Sequence, residues 1–210
     1  MIGSDRSDTW RRAFQVELRA EAIGLAFRGW AVLPGTYPAG AQWAGRQDFE
    51  ATGPVPVHDD WQQRIGTRPD QVATWWAGQP YSLLLATGAG FDVIEVDAEI
   101  GRRAAMALRS VGMPVPIIAT PDSRWQFLVT SSDRELDSAL AERSDVVLRG
   151  GGEWITLPPS PSQHGVVHWR VKPEVCGWRF PSSRVVQDAL LEALGLPTFD
   201  SLATQLVTAD

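Results

Sequence analysis

Ser82-Leu83-Leu84-Leu85-Ala86-Thr87-Gly88-Ala89-Gly90-Phe91-Asp92-Val93-Ile94-Glu95-Val96-Asp97 is the stretch on which the reading of the fold turns. Two apolar runs, 82–86 and 91–96, flank glycines that accept positive φ, so the segment reads as two strands joined in a hairpin. Downstream, helix signals run from Glu99 to Val111 and stop at Gly112. Residues 116–119 and 125–129 then form a second strand pair around the turn-prone Pro121-Asp122-Ser123.

Further out the alternation of strand and helix signals continues. Asp133 to Glu142 reads as a helix with Leu136 and Leu140 four apart. Strand signals follow at Asp145–Arg149, Glu153–Leu157 and Val166–Val171, separated by Gly150-Gly151-Gly152 and by Pro158-Pro159-Ser160-Pro161. Ser183–Leu194 closes the pattern as a helix ahead of Gly195. Toward the N-terminus, Thr67, Pro69 and Asp70 open a helix whose apolar face is Val72, Trp75 and Trp76. Pro34 to Asp60 has no period and reads as a long loop. Trp30–Leu33 is a short strand, preceded by an amphipathic helix carrying Phe14, Leu18, Ala22, Leu25 and Ala26 and ending at Gly29. Residues up to Asp8 are polar and read as frayed. Strands in hairpin-like runs interrupted by helices predict an α+β fold rather than a doubly wound parallel sheet.

The 210 residues carry 44% hydrophobic and 21% charged side chains, which excludes collagen-like and wholly disordered chains. Nineteen Lys and Arg against 25 Asp and Glu give a net charge of -6, without the broad basic footprint of a dedicated nucleic-acid binder. The single Cys176 cannot form an internal disulfide or a thiolate zinc site and fits a small apolar packing role in a reducing compartment. The opening MIGSDRSDTWRR has no apolar core of signal-peptide length and no segment approaches a membrane span, so a cytoplasmic protein is expected.

Several residues could carry chemistry. Glu95 and Asp97, two apart at a strand end, project from one face, as a pair holding Mg²⁺ would; a solvated strand end has the same pattern. Arg149 before three glycines offers a phosphate fork and backbone N–H groups that can turn toward an anion; a flexible hairpin turn is the plainer reading. Of the ten tryptophans, Trp75, Trp76 and Trp169 fit a core and Trp125, beside a turn, is expected to be exposed. His164 and His168 lie four apart in a turn-to-strand region, where they would not share a helical face for zinc. Ser123 and Ser160 lack a Ser-His-Asp context.

In their order these segments resemble the N-terminal bifunctional DNA primase/polymerase (prim-pol) domain of the archaeo-eukaryotic primase superfamily. The resemblance rests on Arg28-Gly29-Trp30-Ala31-Val32-Leu33-Pro34, Trp75-Trp76, Leu83–Gly88 and Val93–Asp97. It continues through Ala119-Thr120-Pro121 before Trp125-Gln126-Phe127, and Leu148–Gly152 before Leu157-Pro158-Pro159-Ser160. It covers roughly residues 12–195, with tails at 1–11 and 197–210. It implies one domain in two lobes, an α/β module packed on an RRM-like antiparallel-sheet module with a nucleotide and two metals, Mg²⁺ or Mn²⁺, in the cleft between. Glu95 and Asp97 would be catalytic metal ligands, with Asp145 as a further candidate. Arg124, Gln126, Arg149, Gly150, Gly151, Gly152 and Ser160 would bind nucleotide or phosphate.

Three departures from the family pattern shape the expected function. The first acidic motif, usually Asp-x-Asp, reads Glu95-Val96-Asp97. The phosphate-contacting histidine is replaced by Gln126, which cannot carry a proton's charge. The third carboxylate position reads Val147, with Asp145 two residues earlier. Phosphoryl transfer depends on positioning and charge compensation, so these changes predict impaired or absent polymerisation. The leading expectation is a prim-pol-like accessory or regulatory protein that keeps a nucleotide-binding cleft, with DNA or a separate helicase or replication protein as further partners. An active template-dependent DNA primase/polymerase and a protein-interaction scaffold are the alternatives.

Overall fold

The computed structural model describes residues 4–47, 51–131 and 135–198. The chain divides into two compact units, one comprising the chain up to Ala89 together with Gly152–His168, the other Gly90–Gly151 with the chain from Trp169 onward.

In the first unit, α1 (Ser4–Phe27) packs against α2 (Pro69–Trp75), β1 (Val32–Gly35) and β4 (Ser82–Ala86). Leu18, Ala22 and Leu25 recur on its buried face. The helix begins at Ser4, earlier than the frayed opening predicted from its polarity. It stops at Gly29, whose φ of +78° lets the Trp30 N–H turn back onto the Leu25 carbonyl at 3.1 Å. β4 lies between β1 and β9 (Trp154–Thr156), antiparallel to both, and all five of its residues are buried. The stretch predicted as a long loop contains a hairpin, β2 (Tyr37–Ala39) with β3 (Gln42–Ala44). Its strands are too short for a period-2 signal to register. A second small ladder joins β10 (Pro161–Ser162) to β11 (Gly165–Val166).

In the second unit, β6 (Ile117–Ala119), β7 (Arg124–Thr130), β5 (Phe91–Asp97) and β8 (Val146–Arg149) pair antiparallel, and β12 (His168–Val171) hydrogen-bonds to the other side of β6. Helices α3 (Ala98–Ser110) and α5 (Ser183–Leu194) pack together, and their apolar side chains share a core with Ile94, Val96, Ile117, Trp125, Phe127 and Val146 of the sheet. The molecule is thus mixed helix and antiparallel sheet, as expected of an α+β fold.

Five local expectations are corrected. β4 and β5 do not form a hairpin: they sit in different sheets, and Gly88-Ala89-Gly90 carries the chain from one unit to the other. Gly150-Gly151-Gly152 likewise joins β8 to β9 across the two units rather than turning a hairpin. The helix expected over 133–142 is a single turn, α4 (Ser138–Ala141), opened by the Asp137 carboxylate accepting the Ala139 N–H; Asp133 lies outside the described residues. Trp125 is buried rather than exposed, because its place on β7 turns it toward α3. The strand predicted over 166–171 is broken at Val167 into β11 and β12.

Candidate functional site

Alternation along β5 puts Ile94 and Val96 into the helix-covered core and Glu95 and Asp97 on the opposite face. The register brings the three motif positions into a row. Gln126 of β7 and Val147 of β8 lie directly opposite Glu95 on either side, and Arg124 lies opposite Asp97. Residues that are 31 and 52 apart in sequence thus become neighbours on one sheet face. Where a third carboxylate would face Glu95, the row ends in the isopropyl group of Val147.

Glu95 is 13% exposed at its side chain and both of its oxygens are engaged. Oε1 receives Arg124 Nε at 3.3 Å and faces an Arg149 terminal nitrogen at 3.6 Å, while Oε2 accepts Gln126 Nε2 at 2.9 Å. The amide orientation of Gln126 follows from chemistry, since a carboxylate cannot donate; its Oε1 is thereby left as a buried acceptor with no hydrogen-bond partner among the described residues. Arg124 also reaches the carbonyl of Asp145 at 3.0 Å, tying β5, β7 and the start of β8 together. One carboxylate is therefore matched by two guanidinium groups, the reverse of the acidic excess a divalent cation attracts.

Asp97 serves as the N-cap of α3: its Oδ1 accepts the Glu99 N–H at 2.8 Å. Asp145 lies in the turn before β8 and pairs with Arg143 through both oxygens, at 2.9 and 2.7 Å. The Arg143 hydrogen bond, opposed by partial burial, holds its carboxyl below the usual range. Arg143 had no place in the sequence reading, although the Arg-x-Asp spacing was there to suggest the pair.

Mg²⁺ and Mn²⁺ are held by carboxylate oxygens free to coordinate. Glu95 and Asp145 give theirs to arginines and Asp97 gives one to a helix start. Among the described residues no three His, Cys, Asp or Glu side chains gather as a metal group. As folded, this donor set does not fit a two-metal centre; Arg124 and Arg143 would first have to release their carboxylates.

The remaining candidates divide between the units. Arg149 ends β8 beside Glu95, and Gly150 and Gly151 follow in the same unit; Gly152, with φ of +87°, begins the return segment of the other. Ser160 belongs to that other unit and is fully buried. Its Oγ accepts the Leu83 N–H at 2.7 Å and donates to the Leu83 carbonyl at 3.3 Å, so its hydroxyl is committed to holding the Pro158-Pro159-Ser160 segment on β4. His164 and His168 are both exposed and join no metal group among the described residues. Burial pushes the Cys176 thiol up to about 11, in keeping with an inert packing residue.

An antiparallel sheet with helices on one face and a row of arginine, carboxylate and amide groups on the other defines an α+β protein whose polar residues converge on a sheet surface. The chain belongs to the bifunctional DNA primase/polymerase N-terminal family, whose model matches residues 22–183. Comparison with curated proteins finds no match. No helix among the described residues is long and apolar enough to cross a membrane.

Proposed function

We propose that this prim-pol domain binds a nucleotide without efficient polymerisation and acts as an accessory or regulatory protein. Family membership supports a DNA primase/polymerase-like role and interaction with nucleotide or DNA. The observation that carries the finer reading is the partnership of Glu95 with Arg124, Arg149 and Gln126. A phosphate is a better partner for two arginines than one carboxylate, because it offers more acceptor oxygens and more charge. In this reading a nucleotide phosphate competes with Glu95 for the guanidinium groups, and Gln126 Oε1 accepts a hydrogen bond from a ligand hydroxyl or amine. Arg149 and the glycines after it contribute the phosphate contacts, and no step requires a metal.

The test is thermal unfolding with a panel of NTPs and dNTPs, each in Mg²⁺, Mn²⁺ or EDTA, since selective binding to the folded state raises its stability. The expected outcome is a nucleotide-dependent rise in Tm that survives EDTA, with no extension of a labelled primer. The family match also favours a second reading, an active template-dependent primase/polymerase. Metal-dependent primer extension that disappears in Asp97→Ala would establish that reading and overturn the first.

A further inference from the structure

On the helix-bearing side of the second unit, away from the Glu95 row, lies a cavity of about 590 Å³ between α3 and β12. Arg102, Met106 and Arg109, at i, i+4 and i+7 on α3, form one wall; Arg170 of β12 and Val175 form the other, with Val115 and buried Trp125 in the lining. Eight large hydrophobic side chains are exposed among the described residues. Four of them, Met106, Val111, Met113 and Val175, gather at this groove or on the segment leading from α3 into it, and each is 43% to 69% exposed. Single exposed apolar residues are ordinary on a protein surface, but Met106 and Val175 lining one groove, with Val111 and Met113 on the segment that leads to its lining residues Pro114 and Val115, mark an apolar patch.

The charge around the groove runs against that of the whole chain. Within a protein of net charge -6, the groove is rimmed by three arginines. Arg102 is paired with Glu99 at 2.8 Å, and the Arg170 guanidinium lies 5.1 Å over the Trp125 ring. Glu174 precedes Val175 in the chain. Arg109 and Arg170 have no carboxylate partner among the described residues.

We propose that this groove docks a helical segment of a partner protein that carries acidic side chains beside large apolar ones at i, i+3 or i+4, and i+7. The apolar side chains would enter between Met106 and Val175, and the acids would meet Arg109 and Arg170, a helix-in-groove arrangement. Methionine at the rim suits it, because an unbranched thioether repacks around different anchors. Nucleic acid fits the groove less well: the lining is mainly aliphatic, and its one indole is buried beneath Arg170 instead of forming a stacking platform. A second copy docking groove to groove would bring arginines against arginines. The proposal is independent of the nucleotide reading, since none of its residues belongs to the Glu95 row.

Fluorescence anisotropy of the full chain with a fluorescein-labelled amphipathic peptide of roughly four helical turns, leucine on one face and glutamate on the other, tests this. The expected result is saturable, salt-sensitive binding that weakens at least about tenfold in Met106→Asp and in Arg109→Glu. Both positions are exposed, and an unchanged Tm in either variant shows that the fold is intact. A peptide with lysine in place of glutamate should bind Arg109→Glu better than the parent chain. Equal binding of a sequence-scrambled peptide, or unchanged affinity in both variants, overturns the proposal. Displacement of the peptide by oligo-dT would reassign the groove to nucleic acid, and loss of binding alongside dimerisation in sedimentation would reassign it to a second copy.

Discussion

Glu95→Gln keeps the size of the side chain but removes the charge that two arginines share. Losing one member of a largely buried ion pair leaves the others less compensated, so a stability loss of about 1–3 kcal/mol is expected from urea unfolding. The same change frees Arg124 and Arg149 for a ligand, and nucleotide affinity in EDTA should rise about tenfold, or ~1.4 kcal/mol, by isothermal calorimetry. A fall in affinity would mean that Glu95 orients the arginines rather than competing for them. His58 offers a separate test in the first unit. Its ring lies 5.8 Å from that of Trp75, and burial, followed by Arg64, lowers its pKa against the opposing pull of Asp60. A depressed histidine pKa means that the unfolded state takes the proton first. The stabilising contribution is therefore full above about pH 6.5 and is lost as pH falls through the folded value. Tm measured from pH 7.5 downward should fall less steeply in His58→Gln than in the parent chain. At this scale the candidate residues were legible in sequence as types and spacings. That Glu95 is held by arginines was not, because the partners come from other strands.

Close packing between α3 and β7 rests on Gly101. A Cβ there would lie 2.8 Å from Trp125 Cβ and 3.0 Å from its Cε3. Alanine improves helix propensity by about 1 kcal/mol, but forcing a helix off a packed sheet costs about 1–3 kcal/mol, and the nearest clash is with the inflexible root of the indole. Gly101→Ala is therefore expected to lower Tm by a few degrees. Ser160→Ala tests the other unit: it leaves the buried Leu83 N–H without its acceptor and should cost about 1–3 kcal/mol by denaturant unfolding. Neutral behaviour would free Ser160 for the phosphate role that the family resemblance implies. Elements with strong local signals were read nearly as they stand: β4 over 82–86, and α5 over 183–194 with Gly195 in the left-handed region at its end. The hairpin between β4 and β5 was misread, because glycines mark where a chain turns but not which strand receives it. β1 and β9 supply the buried partners of β4 instead.

Because the first unit takes back Gly152–His168 after the chain has built most of the second unit's sheet, it is discontinuous in sequence. A chain ending at Gly151 would lack β9, leaving the fully buried Leu84 and Leu85 on a sheet edge without the cover of Ile155 and Leu157. Such a chain should be insoluble or bind a hydrophobic dye, whereas one ending at Thr198 should unfold cooperatively. The sequence by itself determined the alternation of apolar runs, the glycine stops, the α+β class and the family, because each is a local pattern or an order of local patterns. Only the tertiary structure decided that Gln126, Glu95 and Val147 form one row, that Asp97 caps a helix, that Trp125 is buried under α3 and that three arginines surround an apolar groove. Those facts depend on strand register and on which elements meet, and both are set by burial between residues far apart in the chain.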